Sequence, residues 1–238
     1  MSVVLNTAIE FTAATTRWST GGSRSLYMTT GTVWYGMMCR SFVLLERLLR
    51  SCLIEFSRVD ETLVAECRRR RGYGRALDSL TMGQCLGVLE ELAPRLMPVL
   101  STNTSSVDVR EDLLTEDDLG AWQRIVSLRN RMAHHGPGFL DSIDLFSGRV
   151  WREYEVQEPL DQQAKDVWKL GRQVCRSPVV LACVSLGGVS PEEAIQKLDA
   201  AETIQITLKE ISALGNQAID AFHALEGQTE PSPATEPA

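Results

Sequence analysis

The chain has 238 residues, a net charge of −7 from 24 basic and 31 acidic side chains, and an apolar fraction of 44%. This length is sufficient for one domain with a sizeable core, and the apolar fraction is ordinary for a globular protein. The acidic balance argues against broad, sequence-blind binding to nucleic acid or to an anionic membrane surface, although it leaves room for a local basic cleft. The apolar runs are shorter than the roughly 18 residues that a membrane span needs, so we expect no membrane-spanning segment.

The six cysteines are scattered, and no pair has the two-residue gap of a zinc knuckle or of a redox motif. Most of them fall on apolar faces, where a small buried hydrophobic side chain is the simplest interpretation. Unpaired thiols, and an N-terminus with neither a basic leader nor a long apolar core, predict a cytoplasmic protein. The cysteines are Cys39, Cys52, Cys67, Cys85, Cys175 and Cys183.

Residues 1–36 are rich in Ser, Thr and Gly and show no clear apolar periodicity. We therefore expect an N-terminal extension that is partly disordered. After it, apolar residues recur every three or four positions and predict one long helix from Met37 to about Arg70. That helix runs into four consecutive arginines, whose charge suits the negative end of a helix dipole.

A second helix is predicted to begin after Thr81 and to extend to about Leu100. Thr81 and Gln84 have the spacing of a capping box, in which each side chain binds the backbone N–H of the other residue. Pro94 and Pro98 disfavour the second half of this helix, because proline lacks the N–H donor. A polar loop is expected over 101–109.

A third helix is predicted over 116–135. Thr115 and Asp118 resemble a capping box at its start, with aspartate in the place of the usual Glu or Gln. Gly136-Pro137-Gly138 is expected to stop the helix, so that the two adjacent histidines before it lie in the last turn. The recurring apolar face consists of Leu119, Trp122, Ile125 or Val126, Leu128 or Arg129, and Met132.

The segment from Asp141 to Val156 is predicted to be a short hairpin or another small extended insertion. A fourth helix is expected from about Leu160 to Cys175, and Ser177-Pro178 restarts or kinks it. Ser190-Pro191-Glu192-Glu193 then combines a cap, a proline at the first helical position and acids in the first turn. This combination predicts a final helix that continues to about Leu225.

The helices and their polar connections together predict the fold class. Long helices joined by polar links are typical of an all-α, antiparallel up-and-down helical bundle, here with one small extended insertion. We expect the bundle to span residues 37–226. Residues 227–238 are rich in Pro, Glu and Thr and are predicted to be a disordered tail.

The third helix carries an unusual concentration of chemically active side chains. Two of the three histidines of the chain, His134 and His135, lie within one to two helical turns of Arg129, Asn130 and Arg131. An imidazole can move a proton near neutral pH, and a guanidinium can hold a phosphate by two parallel hydrogen bonds. These groups are sufficient in principle to cleave RNA without a metal. The alternative is that they only cap the carbonyl groups of a last helical turn.

This stretch, Arg129-Asn130-Arg131-Met132-Ala133-His134, resembles the signature of the HEPN superfamily (higher eukaryotes and prokaryotes nucleotide-binding). In that signature an arginine is followed directly by a polar residue and, four to six residues after the arginine, by a histidine. Arg129, Asn130 and His134 match it, and His135 also satisfies the spacing. The resemblance covers the motif alone, and nothing in residues 1–36 or 139–157 adds to it.

The resemblance implies an all-α up-and-down bundle that is commonly dimeric. It also implies the activity of many members, which are metal-independent endoribonucleases of toxin–antitoxin, abortive-infection and other antiviral systems. The expected partners are therefore RNA, a second copy of the chain in a homodimer, and an antitoxin or regulatory protein. The competing hypothesis is a catalytically silent HEPN-type module that binds RNA, a nucleotide or a partner protein.

The expected roles follow from the same resemblance and from the chemistry of the side chains. His134 would act as general base or acid, Arg129 would stabilise the transition-state charge, and Asn130 would orient the histidine or the phosphate. We expect no metal or other cofactor, and we interpret the acids of 111–118 as helix-capping residues. Weaker candidates for RNA contacts are Arg131, His135, Arg68, Arg69, Arg70 and Arg71.

Overall fold

The computed structural model of the chain describes residues 2–17, 30–103, 113–141 and 151–202. Within these ranges the predicted all-α class is confirmed, since eight α-helices and one short 3-10 helix, Leu77–Ser79, are present and no strand is. The antiparallel up-and-down order of the helices stays a prediction. The helices are α1 (Val3–Arg17), α2 (Thr30–Val59), α3 (Glu61–Arg70), α4 (Met82–Asn103), α5 (Glu116–Asp141), α6 (Trp151–Cys175), α7 (Pro178–Leu186) and α8 (Pro191–Glu202).

Helix α2 lies at the centre of the described fold and packs against α1, α3, α4, α5, α6 and α7. The three-or-four spacing of its apolar residues explains this position, because it gives the helix a continuous apolar face. Full burial of one large apolar side chain on this face stabilises the fold by about 1.5–3 kcal/mol relative to leaving it exposed. The residues of this helix that are at most 1% exposed are Met38, Leu45, Leu48, Leu49, Cys52, Leu53 and Phe56.

The prediction of one long helix from Met37 to about Arg70 is wrong in two respects, because α2 already includes residues 30–36 and because the helix breaks at Asp60. This residue has an extended backbone conformation, with φ −148° and ψ 90°, and its carboxylate accepts a hydrogen bond from the backbone N–H of Leu63. Aspartate at an N-cap satisfies a backbone donor that would otherwise lack a partner. The apolar periodicity continues across the break, which is why the pattern alone did not reveal it.

The N-terminal segment also differs from the expectation of a partly disordered extension. Val3–Arg17 form α1, which packs against α2, α6, α7 and α8 and contributes Leu5 and Phe11 to the core. The physical reason lies in the threonines, four of which are at most 3% exposed on this helix. The hydroxyl of Thr7 donates to the carbonyl of Val3, and that of Thr15 to the carbonyl of Thr12. The hydroxyl groups of Thr7 and Thr15 are therefore satisfied within α1, and the methyl groups of the buried threonines can pack as apolar surface.

The helix starts that were predicted from capping residues are confirmed by their hydrogen bonds. The Thr81 N–H donates to Gln84 Oε1, and the Gln84 N–H donates to Thr81 Oγ1, which confirms the capping box. Ser190 accepts a hydrogen bond from the Glu193 N–H at the start of α8. Helix α4 continues through both prolines to Asn103, so the polar loop expected over 101–109 does not begin at 101. Residues 104–109 lie outside the described ranges.

The expected extended insertion after the third helix is wrong where it can be compared. Residues 151–156 are helical, because α6 begins at Trp151 and not at the predicted start near Leu160. The rest of that predicted insertion, 142–150, lies outside the described residues. The same holds for the final helix beyond Glu202 and for the predicted tail, 227–238.

All six cysteines are free thiols, and five of them are buried. Burial raises the pKa of Cys85 to about 11 and that of Cys175 to about 12. A thiol that stays protonated is a poor nucleophile, so these side chains behave as small apolar residues of the core, as predicted. Among the described residues, no single helix has the length and apolarity to cross a membrane, although α7 and α8 meet these criteria as a pair bent by 113°.

Candidate functional site

The candidate site lies on α5, and this helix is longer than the sequence indicates. It runs from Glu116 to Asp141 and passes through Gly136-Pro137-Gly138, so the predicted stop is wrong. The physical reason is that proline removes one backbone hydrogen bond but has a φ angle that a helix accepts, so a helix can continue through it with a kink. His134 and His135 are therefore not in the last turn.

The continuation of α5 beyond His135 changes two interpretations of the motif. The favourable effect of a helix C-terminus on a protonated histidine is confined to about the last turn, so it does not reach His134, seven residues before the end of α5. Likewise, positions 129–135 lie before the last four residues of α5, whose carbonyl groups have no partner within a helix. The capping alternative therefore loses its basis.

The apolar face of α5 orients the motif. Trp122 and Ile125 are fully buried, Leu128 is 8% exposed, and Met132 packs against the core from its edge. The start of the helix is fixed by Thr115, whose hydroxyl accepts from the Asp118 N–H and donates to the Asp118 carboxylate. The structure thus resolves the alternatives left open by the sequence: Ile125 and Leu128, not Val126 and Arg129, hold the inner positions.

Arg129 lies at the border between the core and the surface. Its side chain is 36% exposed, and its Nη1 donates a hydrogen bond to Oδ1 of Asn130 at 3.2 Å. Its Nη2 is 3.9 Å from Oε2 of Glu46 on α2, which is an ion pair without a direct hydrogen bond. The guanidinium is therefore held from two sides and still reaches solvent.

Glu46 belongs to a chain of polar contacts that the sequence analysis missed. Its Oε1 accepts from Nη2 of Arg50 at 2.7 Å, and the same Nη2 donates to the backbone carbonyl of Leu80, also at 2.7 Å. The chain connects the segment before α4, helix α2 and the motif on α5. A signal was present in the sequence, since Glu46 and Arg50 are four residues apart on a helix and therefore occupy neighbouring positions.

The remaining residues of the motif follow the register of α5. Asn130 and Arg131 are exposed. His134 is four residues after Asn130, and His135 is four residues after Arg131, so each pair occupies neighbouring positions on the helix. Positions 129 and 134 are about 140° apart around the axis, given 100° per residue. The backbone thus brings Asn130 and His134 to one face, with Arg129 further round.

Two arginines of the run, Arg70 and Arg71, form ion pairs. Arg70 binds Glu66 at 2.8 Å, and Arg71 binds Glu90 at 3.1 Å. Glu90 also accepts from Gln123 of α5, six residues before Arg129. Hydrogen bonds from Arg70 and Arg95 lower the pKa of Glu66, so this carboxylate stays charged against its partners. Arg70 and Arg71 therefore connect the end of α3 to α4. The RNA-contact hypothesis for Arg68 and Arg69 stays a prediction.

No group of three or more His, Cys, Asp or Glu side chains in the described part of the chain is arranged to hold a metal ion. Of the acidic cluster, Asp118 is buried and engaged with Thr115, in agreement with a capping role. Comparison of the chain with protein-family models, with curated proteins and with solved structures finds no match. The HEPN resemblance therefore depends on the motif residues alone.

Proposed function

We propose that the protein is a metal-independent endoribonuclease of HEPN type that acts as a cytoplasmic toxin or antiviral-defence effector. The observation that carries this proposal is the location of Arg129, Asn130 and His134 on one continuous helix, with the Arg129 guanidinium held by Asn130 and open to solvent. The similarity of the motif to the HEPN signature supplies the reaction class. The all-α fold is compatible with that family.

In the proposed reaction His134 accepts the proton of the RNA 2′-hydroxyl while the 2′-oxygen forms a bond to the adjacent phosphorus. The bond from phosphorus to the 5′-oxygen breaks, and that oxygen gains a proton from a second acid. The products are a 2′,3′-cyclic phosphate and a 5′-hydroxyl. Arg129 stabilises the negative charge that develops on the phosphate oxygens, and Asn130 orients the guanidinium or the histidine.

The competing candidate is a catalytically silent module that binds RNA, a nucleotide or a protein. The specific observation in its favour is the carboxylate of Glu46, 3.9 Å from the guanidinium that would bind the phosphate. A carboxylate at this distance competes with an anionic ligand. Cleavage itself decides between the two, because the silent module would bind RNA without forming products.

Purified full-length protein should cleave single-stranded RNA equally well with and without EDTA, because protein side chains carry out the proton transfers and the charge stabilisation of the proposed reaction. The products should carry a 2′,3′-cyclic phosphate, detected by mass spectrometry and by the resistance of their 3′ ends to ligation, which needs a free 3′-hydroxyl. An Arg129→Ala preparation purified in parallel controls for contaminating ribonucleases. Activity that chelation removes and magnesium or manganese restores would contradict the mechanism and direct attention to the acids of 111–118.

The active species should be a homodimer, because one copy of the motif supplies one His134, whereas the proposed reaction needs both a base and an acid. A two-fold axis would place two copies of His134 at one cleft. Cleavage rate per chain should then fall on dilution in parallel with the dimer fraction measured by sedimentation. A chain that is monomeric at micromolar concentration and cleaves at an undiminished rate would contradict the shared cleft. An antitoxin or regulatory partner is part of the same proposal.

A further inference from the structure

The carboxylate of Glu46 holds a different arginine with each of its oxygens. Oε1 accepts the short hydrogen bond from Arg50, at 2.7 Å, and Oε2 lies 3.9 Å from Nη2 of Arg129. Glu46 and Arg50 belong to α2, whereas Arg129 belongs to α5. The carboxylate is therefore the contact through which the central helix of the fold reaches the motif.

The inner end of this contact is well fixed. Arg50 is tied to Glu46 and to the carbonyl of Leu80 by the same Nη2, and its side chain is only 27% exposed. Beneath it, Leu80 is 1% exposed and Cys85 is fully buried. A carboxylate anchored to a buried framework cannot follow the arginine of the motif outward, so it defines where that arginine stays.

The charges leave Arg129 available to an anion. Two guanidinium groups and one carboxylate give the cluster of Glu46, Arg50 and Arg129 a formal net charge of about +1. Arg50 already satisfies one oxygen of Glu46 at hydrogen-bond distance, and Arg129 approaches the other without a direct hydrogen bond. The guanidinium of Arg129 is thus restrained in direction, and it keeps N–H groups that can donate hydrogen bonds to a ligand.

We propose that Glu46 is a positioning residue for Arg129: it holds the guanidinium, together with Asn130, in the orientation that receives the RNA phosphate. This inference rests on the proposed function. A preoriented fork binds the transition state without first losing the rotational freedom of a long side chain. Glu46 touches neither RNA nor the reacting atoms, so its effect passes entirely through Arg129.

The test is a mutant cycle on RNA cleavage by the full-length protein. Glu46→Gln keeps the shape of the side chain and removes its charge, and we expect kcat to fall about tenfold with little change in KM or Tm. Glu55→Gln is the matched control, because Glu55 also binds an arginine, Arg58, on α2 at 2.7 Å but is away from the motif. It should cleave like the unmodified protein.

The second arm of the cycle separates positioning from a general structural role. Arg129→Lys keeps a positive charge but has no fork to orient, so adding Glu46→Gln to it should change the rate by less than about twofold. The full tenfold loss in that background would overturn the inference, and so would a Glu46→Gln variant as fast as or faster than the unmodified protein. If the unmodified protein does not cleave RNA at all, the proposed function fails, and the inference fails with it.

Discussion

Replacing Arg129 or His134 by alanine should abolish RNA cleavage and leave the fold intact. Loss of the charge-stabilising arginine is expected to slow the reaction about a hundred- to a thousandfold, and loss of the proton-transfer group about a hundred- to ten-thousandfold. Arg129 lies at the edge of the apolar face of α5 and is 36% exposed, so its removal creates no cavity. The Tm should shift by no more than about 2 °C, as for other surface substitutions.

The matched control for Arg129 is Arg124→Ala, since Arg124 is exposed on the same helix five residues earlier and faces about 140° away. For His134, His135→Ala answers the question that the spacing left open. If His135→Ala is inactive and His134→Ala is active, the histidine of the site is His135. If either Arg129→Ala or His134→Ala unfolds, the residue is structural and its assignment to the site is wrong.

Gly171→Ala should destabilise the protein strongly. Gly171 lies on α6 where the ring of Phe11 from α1 packs directly on the backbone, and a methyl group there would overlap the ring, with Cε1 only 2.5 Å away. Phe11 is fully buried, so its ring is surrounded by other core atoms. Overpacking of this kind costs about 1–3 kcal/mol or more, which urea unfolding measures directly.

The control for this effect is Gly120→Ala, a helical glycine whose added methyl group meets no atom within 4 Å. That substitution should stabilise the protein by about 0.4–1 kcal/mol, because alanine favours the helix. A shorter side chain in the double variant Gly171→Ala, Phe11→Leu should recover part of the lost stability. Equal stabilisation by the two glycine substitutions would show that α1 does not pack on α6 as described.

The features that the sequence predicted are those that depend on neighbouring residues. The capping box of Thr81 and Gln84 needs only four residues to form, and both of its hydrogen bonds are present. The inner face of α5 follows from a spacing of three or four residues, which Trp122 and Ile125 confirm by their burial. Local geometry decides such features, so tertiary contacts do not overrule them.

The features that the sequence analysis missed depend on residues far apart in the chain or on side chains that have both a polar and an apolar group. Helix α1 was missed because its buried face contains Thr12 and Thr15, which are polar by composition but pack as apolar groups. Glu46 and Arg129 are 83 positions apart in the chain, and the periodicity of a single helix cannot predict a contact between two such residues. Gly136-Pro137-Gly138 has a low helix propensity and therefore predicts a stop. The helix continues through it to Asp141, because propensity is only a weak guide inside a long helix.

The packing of α1 has a consequence for the synthesis of the protein. Three of its four helical neighbours, α6, α7 and α8, begin at or after Trp151, so they leave the ribosome long after α1 does. At about 5–20 residues per second, α1 waits roughly 10 to 30 s for them. During that interval Leu5 and Phe11 lack most of the core that finally covers them. The nascent chain is therefore expected to be a chaperone client until α8 has emerged, and translation that stops before Trp151 should yield aggregates rather than a folded fragment.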